Sequence, residues 1–217
     1  MAGAGLRNMC QLKKNALVTK PTNITFEAAA AVPMSAVTAL QAIQDKGQIQ
    51  SNQKVLIHGA SGGVGSWAVQ IGKSFGAHVT AVCSTRNVEM ARVLGADEVI
   101  DYRKEDFSKN GKRYDLIIGA NGDVPLAKYK SALTANGIYV CTGGSMKQIF
   151  GSMIFGGKQA RSLTSAPNKK DLLFLQALLA NGKIKSVIDK IYPLHELADA
   201  FRYFEAGKVK GKVVISH

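Results

Sequence analysis

The sequence predicts an α/β fold built on a parallel sheet, and two patterns carry that expectation. Short apolar runs of strand character alternate with helical segments of roughly ten to fifteen residues, the alternation of βαβ units. Glycine, asparagine or proline punctuates almost every junction between them. Composition agrees: of 217 residues, 46% are hydrophobic and 20% charged, enough apolar surface to offset ordering entropy and exclude a disordered chain. No stretch reaches the ~20 apolar residues needed to span a bilayer as a helix.

The elements follow in order. After Lys20-Pro21, Thr25 is placed to cap a short helix through residue 31, which Pro33 interrupts. A second helix is expected over 34–44, stopped by Gly47. Lys54-Val-Leu-Ile-His58 is a compact apolar strand, and the helix over 66–75 after it has Gly76 in the left-handed cap position. His78-Val-Thr-Ala-Val-Cys83 is the next strand, with Asn87 capping a helix that ends at Gly95. Residues 98–101 form a short strand and Tyr114-Asp-Leu-Ile-Ile118 a longer one. A helix over 124–133 is closed by the Ala135-Asn136-Gly137 turn, and Ile138-Tyr-Val-Cys-Thr142 follows as a strand. After a Gly- and Met-rich stretch, Arg161-Ser-Leu-Thr-Ser165 reads as an edge strand, and 171–180 as a helix stopped by Asn181-Gly182. The last part, 186–216, reads strand–helix–strand with its helix over 195–205. The chain divides into an N-terminal segment (1–21), an α/β body (22–182) and a C-terminal strand–helix–strand segment (183–217).

Charge is the unusual entry. Lys and Arg number 28 against 15 Asp and Glu, a net charge of +13 that points to an anionic partner: a phosphorylated cofactor, a nucleic acid or a membrane surface. The surplus is spread, with 17 basic and 10 acidic residues over 1–150 and 11 and 5 over 151–217, and no run of five like charges forms a basic tail. Cys10, Cys83 and Cys141 are too few and too scattered for a disulfide framework, and neither a CxxC nor a Cys/His cluster marks a structural zinc site. The N-terminus lacks the unbroken apolar run of a secretory signal and the Arg- and Ser-rich character of a transit peptide, so a soluble cytoplasmic protein is expected.

The chemistry concentrates at Gly59-x-x-Gly62-Gly63-x-Gly65, between a buried strand and a helix. There glycines let backbone approach a pyrophosphate, while the helix N-terminus offers free N–H groups and a positive dipole end. A tight strand-to-helix turn would need glycines too; the second strand at the right distance favours a Rossmann-type, doubly wound dinucleotide fold with helices on both faces. Two overlapping motifs compete. Gly59-Ala-Ser61-Gly-Gly63 matches the nucleophile elbow of α/β-hydrolases, with Asp123 and His195 as triad partners. Only 60 residues precede Ser61, too few for the strands and oxyanion loop that such a sheet places first, and Gly65 is left unexplained. Gly72-Lys73-Ser74 resembles the tail of a Walker A motif, but Trp67 stands where its first glycine belongs and the triplet ends a helix instead of starting one.

The second strand selects the cofactor. A fold that binds NAD places Asp or Glu at this strand's end, on the ribose 2′-hydroxyl. Here the strand runs into Cys83-Ser84-Thr85-Arg86-Asn87, with no acid before Glu89. A hydroxyl followed by a guanidinium suits a 2′-phosphate, so NADP is expected over NAD. Tyr102 stacks on adenine or covers the sheet edge; His58 reads as a core histidine more than a catalytic one; Cys83 lies near the adenosine half or is a small buried hydrophobe.

Several segments together resemble the medium-chain dehydrogenase/reductase superfamily, in its zinc-independent quinone oxidoreductase branch. They are Leu17-Val-Thr-Lys-Pro21, Thr25-Phe-Glu-Ala-Ala-Ala-Ala-Val-Pro33, Ser35-Ala-Val-Thr38-Ala39-Leu40, Val55-Leu-Ile-His-Gly-Ala-Ser-Gly-Gly-Val-Gly65, Leu94-Gly-Ala-Asp-Glu-Val-Ile-Asp-Tyr102 and Gly211-Lys-Val-Val214. Short-chain dehydrogenases need Tyr-x-x-x-Lys, which no tyrosine here provides. The resemblance implies NADPH-dependent hydride transfer to a quinone or unsaturated carbonyl. It places Ser61, Gly62, Gly63 and Val64 on the pyrophosphate, Ser84 and Arg86 on the 2′-phosphate and Tyr102 at the adenine end. Asn121, Thr142 and Gly143 would line the nicotinamide side, with Thr38 at the nicotinamide ribose, and residues 161–166 would be the edge of a homodimer. Relatives carry a further N-terminal GroES-like β-domain, on which segments like 186–192 and 212–216 pack. Here those segments are expected to form a reduced subdomain with the 195–205 helix, to pair between chains, or to pack poorly. A second reading, from another class, is a nonenzymatic protein binding nucleotide or RNA through its basic surface, although no RNP-type aromatic motif or basic stripe is present.

Overall fold

A computed structural model describes residues 17–120, 124–143 and 157–216; Cys10, Asn121, Asp123 and the Gly- and Met-rich stretch lie outside them. Six parallel strands form the main sheet in the order β3-β2-β1-β4-β5-β6. They are β1 (Lys54–His58), β2 (His78–Cys83), β3 (Glu98–Asp101), β4 (Tyr114–Gly119), β5 (Leu133–Cys141) and β6 (Ala160–Ser162). This is the doubly wound Rossmann order, whose winding reverses between β1 and β4. Because side chains alternate across a strand, both faces must be apolar. Val55 and Ile57 of β1 enter one core with Leu116 and Ile118 of β4, while Leu56 and Ile117 enter the other.

Helices α2 (Ser35–Gln41), α3 (Gly65–Ser74), α4 (Val88–Val93) and α6 (Lys169–Ala180) contribute to the first core, whereas α5 (Leu126–Ser131) and Phe107 cover the second. Before them, α1 (Phe26–Ala30) starts where the sequence placed it, the Thr25 hydroxyl accepting from the Ala28 N–H at 3.1 Å. Gly76 takes a left-handed φ of +77°, as its place after α3 requires.

Four expectations are corrected. The helix expected over 34–44 is α-helical only to Gln41 and continues as a π-helical turn over Ala42–Lys46, closed by Gly47 N–H to Ala42 O at 2.8 Å. Gly47 is needed there, since a Cβ would lie 2.6 Å from Leu116 Cδ2. Asn87 precedes α4 but does not cap it: its amide turns back to Ser84 Oγ at 3.2 Å. The helix expected over 124–133 ends at Ser131, and Leu133 already belongs to β5. Burial of Leu133 in the second core draws it out of helical register, and residues 135–137 form an irregularity inside the strand, between the pairs Tyr114–Leu133 and Leu116–Ile138. The edge strand expected from Arg161 covers Ala160–Ser162 only.

The C-terminal segment is a small unit of its own. β7 (Ile188–Pro193) and β8 (Lys212–Ser216) pair in parallel as a two-stranded sheet, joined through α7 (Leu197–Glu205). A 3-10 turn over Leu194–Glu196 replaces the first turn of the expected helix. Within this chain the two strands pair with each other and pack with α7. The unit is fastened to the body by Gly211 N–H to Ser61 O (2.8 Å), Ser186 Oγ to Ala28 O (2.6 Å) and a paired amide link between Gln70 and Lys185. Its outer side stays apolar and open, with Phe201 58% and Phe204 63% exposed.

Candidate functional site

The C-terminal ends of four strands of the sheet gather most of the residues singled out in the sequence. Tyr102 follows β3, Ser84 and Arg86 follow β2, Ser61 to Val64 follow β1, and Thr142 and Gly143 follow β5. With strands ~4.8 Å apart, this edge runs roughly 19 Å from β3 to β5, long enough for two linked nucleotide units. Its middle is the winding reversal between β1 and β4, where open α/β sheets bind their ligands.

The glycine turn is built by close approach. Gly59 has a φ of +83°, and its N–H and that of Ala60 both donate to Val82 O at 3.1 Å, locking the turn to the end of β2. A Cβ on Gly65 would lie 2.1 Å from Gly59 O and 2.8 Å from Ala60 Cα, so only glycine lets α3 begin against the turn. At Gly62 a Cβ would meet only Gly59 O, at 3.5 Å; that glycine leaves open space for something else.

What lies over Gly63 is a residue the sequence did not single out. Lys212 of β8 brings its Cε and Nζ to 3.2 Å from where a Gly63 Cβ would stand. Burial holds its ammonium below the usual lysine range, and it has no ion-pair partner among the described residues. Gly211 makes this possible: at φ +64° a Cβ there would be 2.3 Å from Val187 O, and its N–H ties the strand to Ser61 O. An unneutralised cation therefore faces the positive dipole end of α3, where the Ser66 N–H already donates to Gly62 O at 3.0 Å.

At the end of β2, the Ser84 hydroxyl oxygen accepts from Asn87 Nδ2, which leaves its own proton free to be donated. Arg86 reaches across to the C-terminal unit, its Nη2 donating to Gly207 O at 3.4 Å. The structure also brings in a carboxylate from the next strand. Asp101 pairs in register with Cys83 and accepts from the Thr85 hydroxyl at 2.6 Å, which with the Arg103 N–H holds its pKa below the ordinary value. Burial, reinforced by Asp101, pushes the Cys83 thiol up to about 11, so it stays a protonated, unreactive packing group.

Tyr102 is 54% exposed, its N–H donating to Cys83 O at 3.1 Å, and it borders a cavity of about 330 Å³ with His58, Phe107, Val124 and Lys128. The wall is held by an Asp106–Lys128 ion pair of 2.7 Å; Lys128 and Ser108 lower the Asp106 carboxyl to about 2. His58 is a buried aromatic-cluster residue: its Nδ1 lies 3.1 Å from the Tyr129 hydroxyl, and its ring packs on Phe107 and Tyr129. On the other side, the N–H and hydroxyl of Thr142 both donate to Gly119 O, and the Thr38 hydroxyl donates to Met34 O at 2.7 Å. Both hydroxyls retain only acceptor capacity. Asn121 lies outside the described residues. The hydrolase triad finds no support in this geometry, since His195 is 81% exposed and beside Glu196.

Comparison with known proteins gives this edge its context. The family model described as zinc-binding dehydrogenase matches residues 94–215, more than half of the chain. The chain belongs to this zinc-binding dehydrogenase family. Within the wider medium-chain dehydrogenase/reductase superfamily, it is 32% identical to the chloroplast envelope quinone oxidoreductase homolog of Arabidopsis thaliana, over 99% of this chain and 69% of that protein. It is likewise 32% identical to the mitochondrial NAD(P)H oxidoreductase RTN4IP1 of Mus musculus, over 93% of this chain and 58% of that protein. The quinone oxidoreductase of Coxiella burnetii has the same fold, with a TM-score of 0.82 at 31% identity, covering 92% of this chain and 63% of that one. The chain thus spans between about three fifths and two thirds of these family members. Among the described residues, no group of three or more His, Cys, Asp or Glu could hold a metal. Nor is any described helix long and apolar enough to cross a membrane.

Proposed function

We propose that this chain binds NADPH along the C-terminal edge of its sheet and is the cofactor-binding part of an oxidoreductase acting on a quinone or unsaturated carbonyl. The half-buried Lys212 ammonium, held over the glycine turn without a counter-ion, carries this reading. A buried cation without a partner is costly, and a pyrophosphate at the start of α3 would neutralise it. Gly62 and Gly63 let the phosphates approach, with Ser61 and Val64 completing the cradle. Ser84 donates to the 2′-phosphate and Arg86 pairs with it; Tyr102 stacks at the adenine end. Thr142 and Thr38 accept from hydroxyl or amide groups on the nicotinamide side, where Gly143 leaves room. When bound, the nicotinamide supplies a hydride from its C4 position, and the protein's part is position and electrostatics.

Asp101 favours a second reading. A carboxylate near the end of β2 suits the free 2′-hydroxyl of NADH and repels a 2′-phosphate, although Thr85 already engages it. The open face of Phe201 and Phe204 is where the rest of a longer relative would pack, and the outer edge of β6 would join two copies. Activity tests the oxidoreductase reading: consumption of NADPH should depend on an added quinone or enone. Cofactor consumption indifferent to every acceptor in such a panel would refute it.

A further inference from the structure

At the opposite edge of the sheet, where the strands begin, lies a second polar cavity of about 550 Å³. It opens between the starts of β1 to β4 and the segment 111–113, and no residue of the nucleotide edge borders it. Its two carboxylates are already engaged. Glu98 accepts from Lys112 at 2.7 Å and from the Thr80 hydroxyl at 3.3 Å; Asp115 accepts from the Lys54 N–H at 2.9 Å and the Thr134 hydroxyl at 3.2 Å. Lys54 and Arg113, which also line the cavity, have no ion-pair partner among the described residues. Beside them the Tyr114 hydroxyl is buried, with only 1% of the residue exposed; Thr80 and Asn110 face it, but neither makes a well-formed hydrogen bond to it. Burial raises its pKa, so it stands ready as a donor at neutral pH.

Arg113 also donates to Lys112 O at 3.0 Å, but neither it nor Lys54 has a carboxylate partner, and with a poorly satisfied buried hydroxyl beside them the cavity suits an acceptor-rich anion. We propose that this cavity binds a phosphate group, either free phosphate or that of a small phosphorylated metabolite, with Arg113 and Lys54 neutralising it and the Tyr114 hydroxyl donating to it. The other cavity of about 550 Å³, lined by Gln70, Lys73 and Lys185, does not make the same case. There the C-terminal ends of α3, α4 and α6 converge, and lysines are placed to offset those negative dipole ends.

The test is a titration of the 15N-labelled protein with inorganic phosphate, replacing chloride at constant ionic strength. Because the glycine turn also attracts phosphate, amide shifts are read separately at 111–115 and at 59–65. The proposal expects saturable shifts at 111–115 that weaken about tenfold in Arg113→Gln, the loss of one charge-assisted contact, with shifts at 59–65 unchanged. Arg113 is exposed, so its replacement should leave the fold intact. Glycerol 3-phosphate binding more tightly than phosphate would identify a metabolite site, and equal binding a site for phosphate itself. Shifts confined to 59–65, or shifts at 111–115 that do not saturate or ignore Arg113→Gln, would overturn it.

Discussion

Gly65→Ala is expected to abolish nucleotide binding and to cost about 3 kcal/mol of stability, at the upper end of overpacking effects. All three atoms nearest its Cβ, at 2.1, 2.7 and 2.8 Å, belong to the backbone of Gly59 and Ala60. No side chain can yield, so the start of α3 must move away from β1. That motion disturbs the packing around Trp67, a fully buried residue on the same helix, and pulls the N–H groups of the first turn out of place. Gly62→Ala is the matched control. With only Gly59 O near its Cβ, at 3.5 Å, it should keep wild-type stability while blocking close approach of a phosphate. Urea denaturation and NADPH titration of the two variants separate these effects. Wild-type NADPH affinity in Gly65→Ala would remove the turn from the binding site.

Lys212→Met should have the opposite signature. Methionine keeps most of the side chain's length and loses the charge, so affinity for NADPH should fall roughly ten- to a hundredfold, as a charge-assisted contact disappears. Stability should hold or rise, because a half-buried ammonium without a counter-ion is replaced by an apolar group. Calorimetric titration and thermal melting read the two quantities independently. A fall in melting temperature with unchanged affinity would make Lys212 a structural residue and take away the main support for the proposed function.

The contrast between these two positions shows what the sequence could reveal. The glycine turn is local: its strand, its glycines and its helix are contiguous, and each needs only its neighbours to be recognised. β1 and β4 were legible for the same reason, since strands buried on both faces are continuous apolar runs. Lys212 is far from Gly63 along the chain and meets it only because β7 and β8 pair with each other and Gly211 turns toward Ser61. Nothing at residue 212 except the Gly211-Lys-Val-Val214 resemblance signals that meeting. Asp101 was missed similarly: it ends β3, and only the parallel register with Cys83 carries it to the end of β2. At Asn87 and at 124–133 the signals were sound but other contacts won: Ser84, three residues earlier in the same turn, took the Asn87 amide, and the second core took Leu133.

The proposed NADPH site needs a 2′-phosphate held at the end of β2 as well as a pyrophosphate over the glycine turn. Parallel titrations of NADPH and NADH into the wild type and Arg86→Ala test it most directly. NADPH should bind at least about tenfold more tightly than NADH, and Arg86→Ala should erase most of that difference while leaving NADH affinity nearly unchanged. Equal or tighter binding of NADH, or undiminished NADPH affinity in Arg86→Ala, would contradict the 2′-phosphate assignment and favour the reading in which Asp101 meets a free ribose hydroxyl.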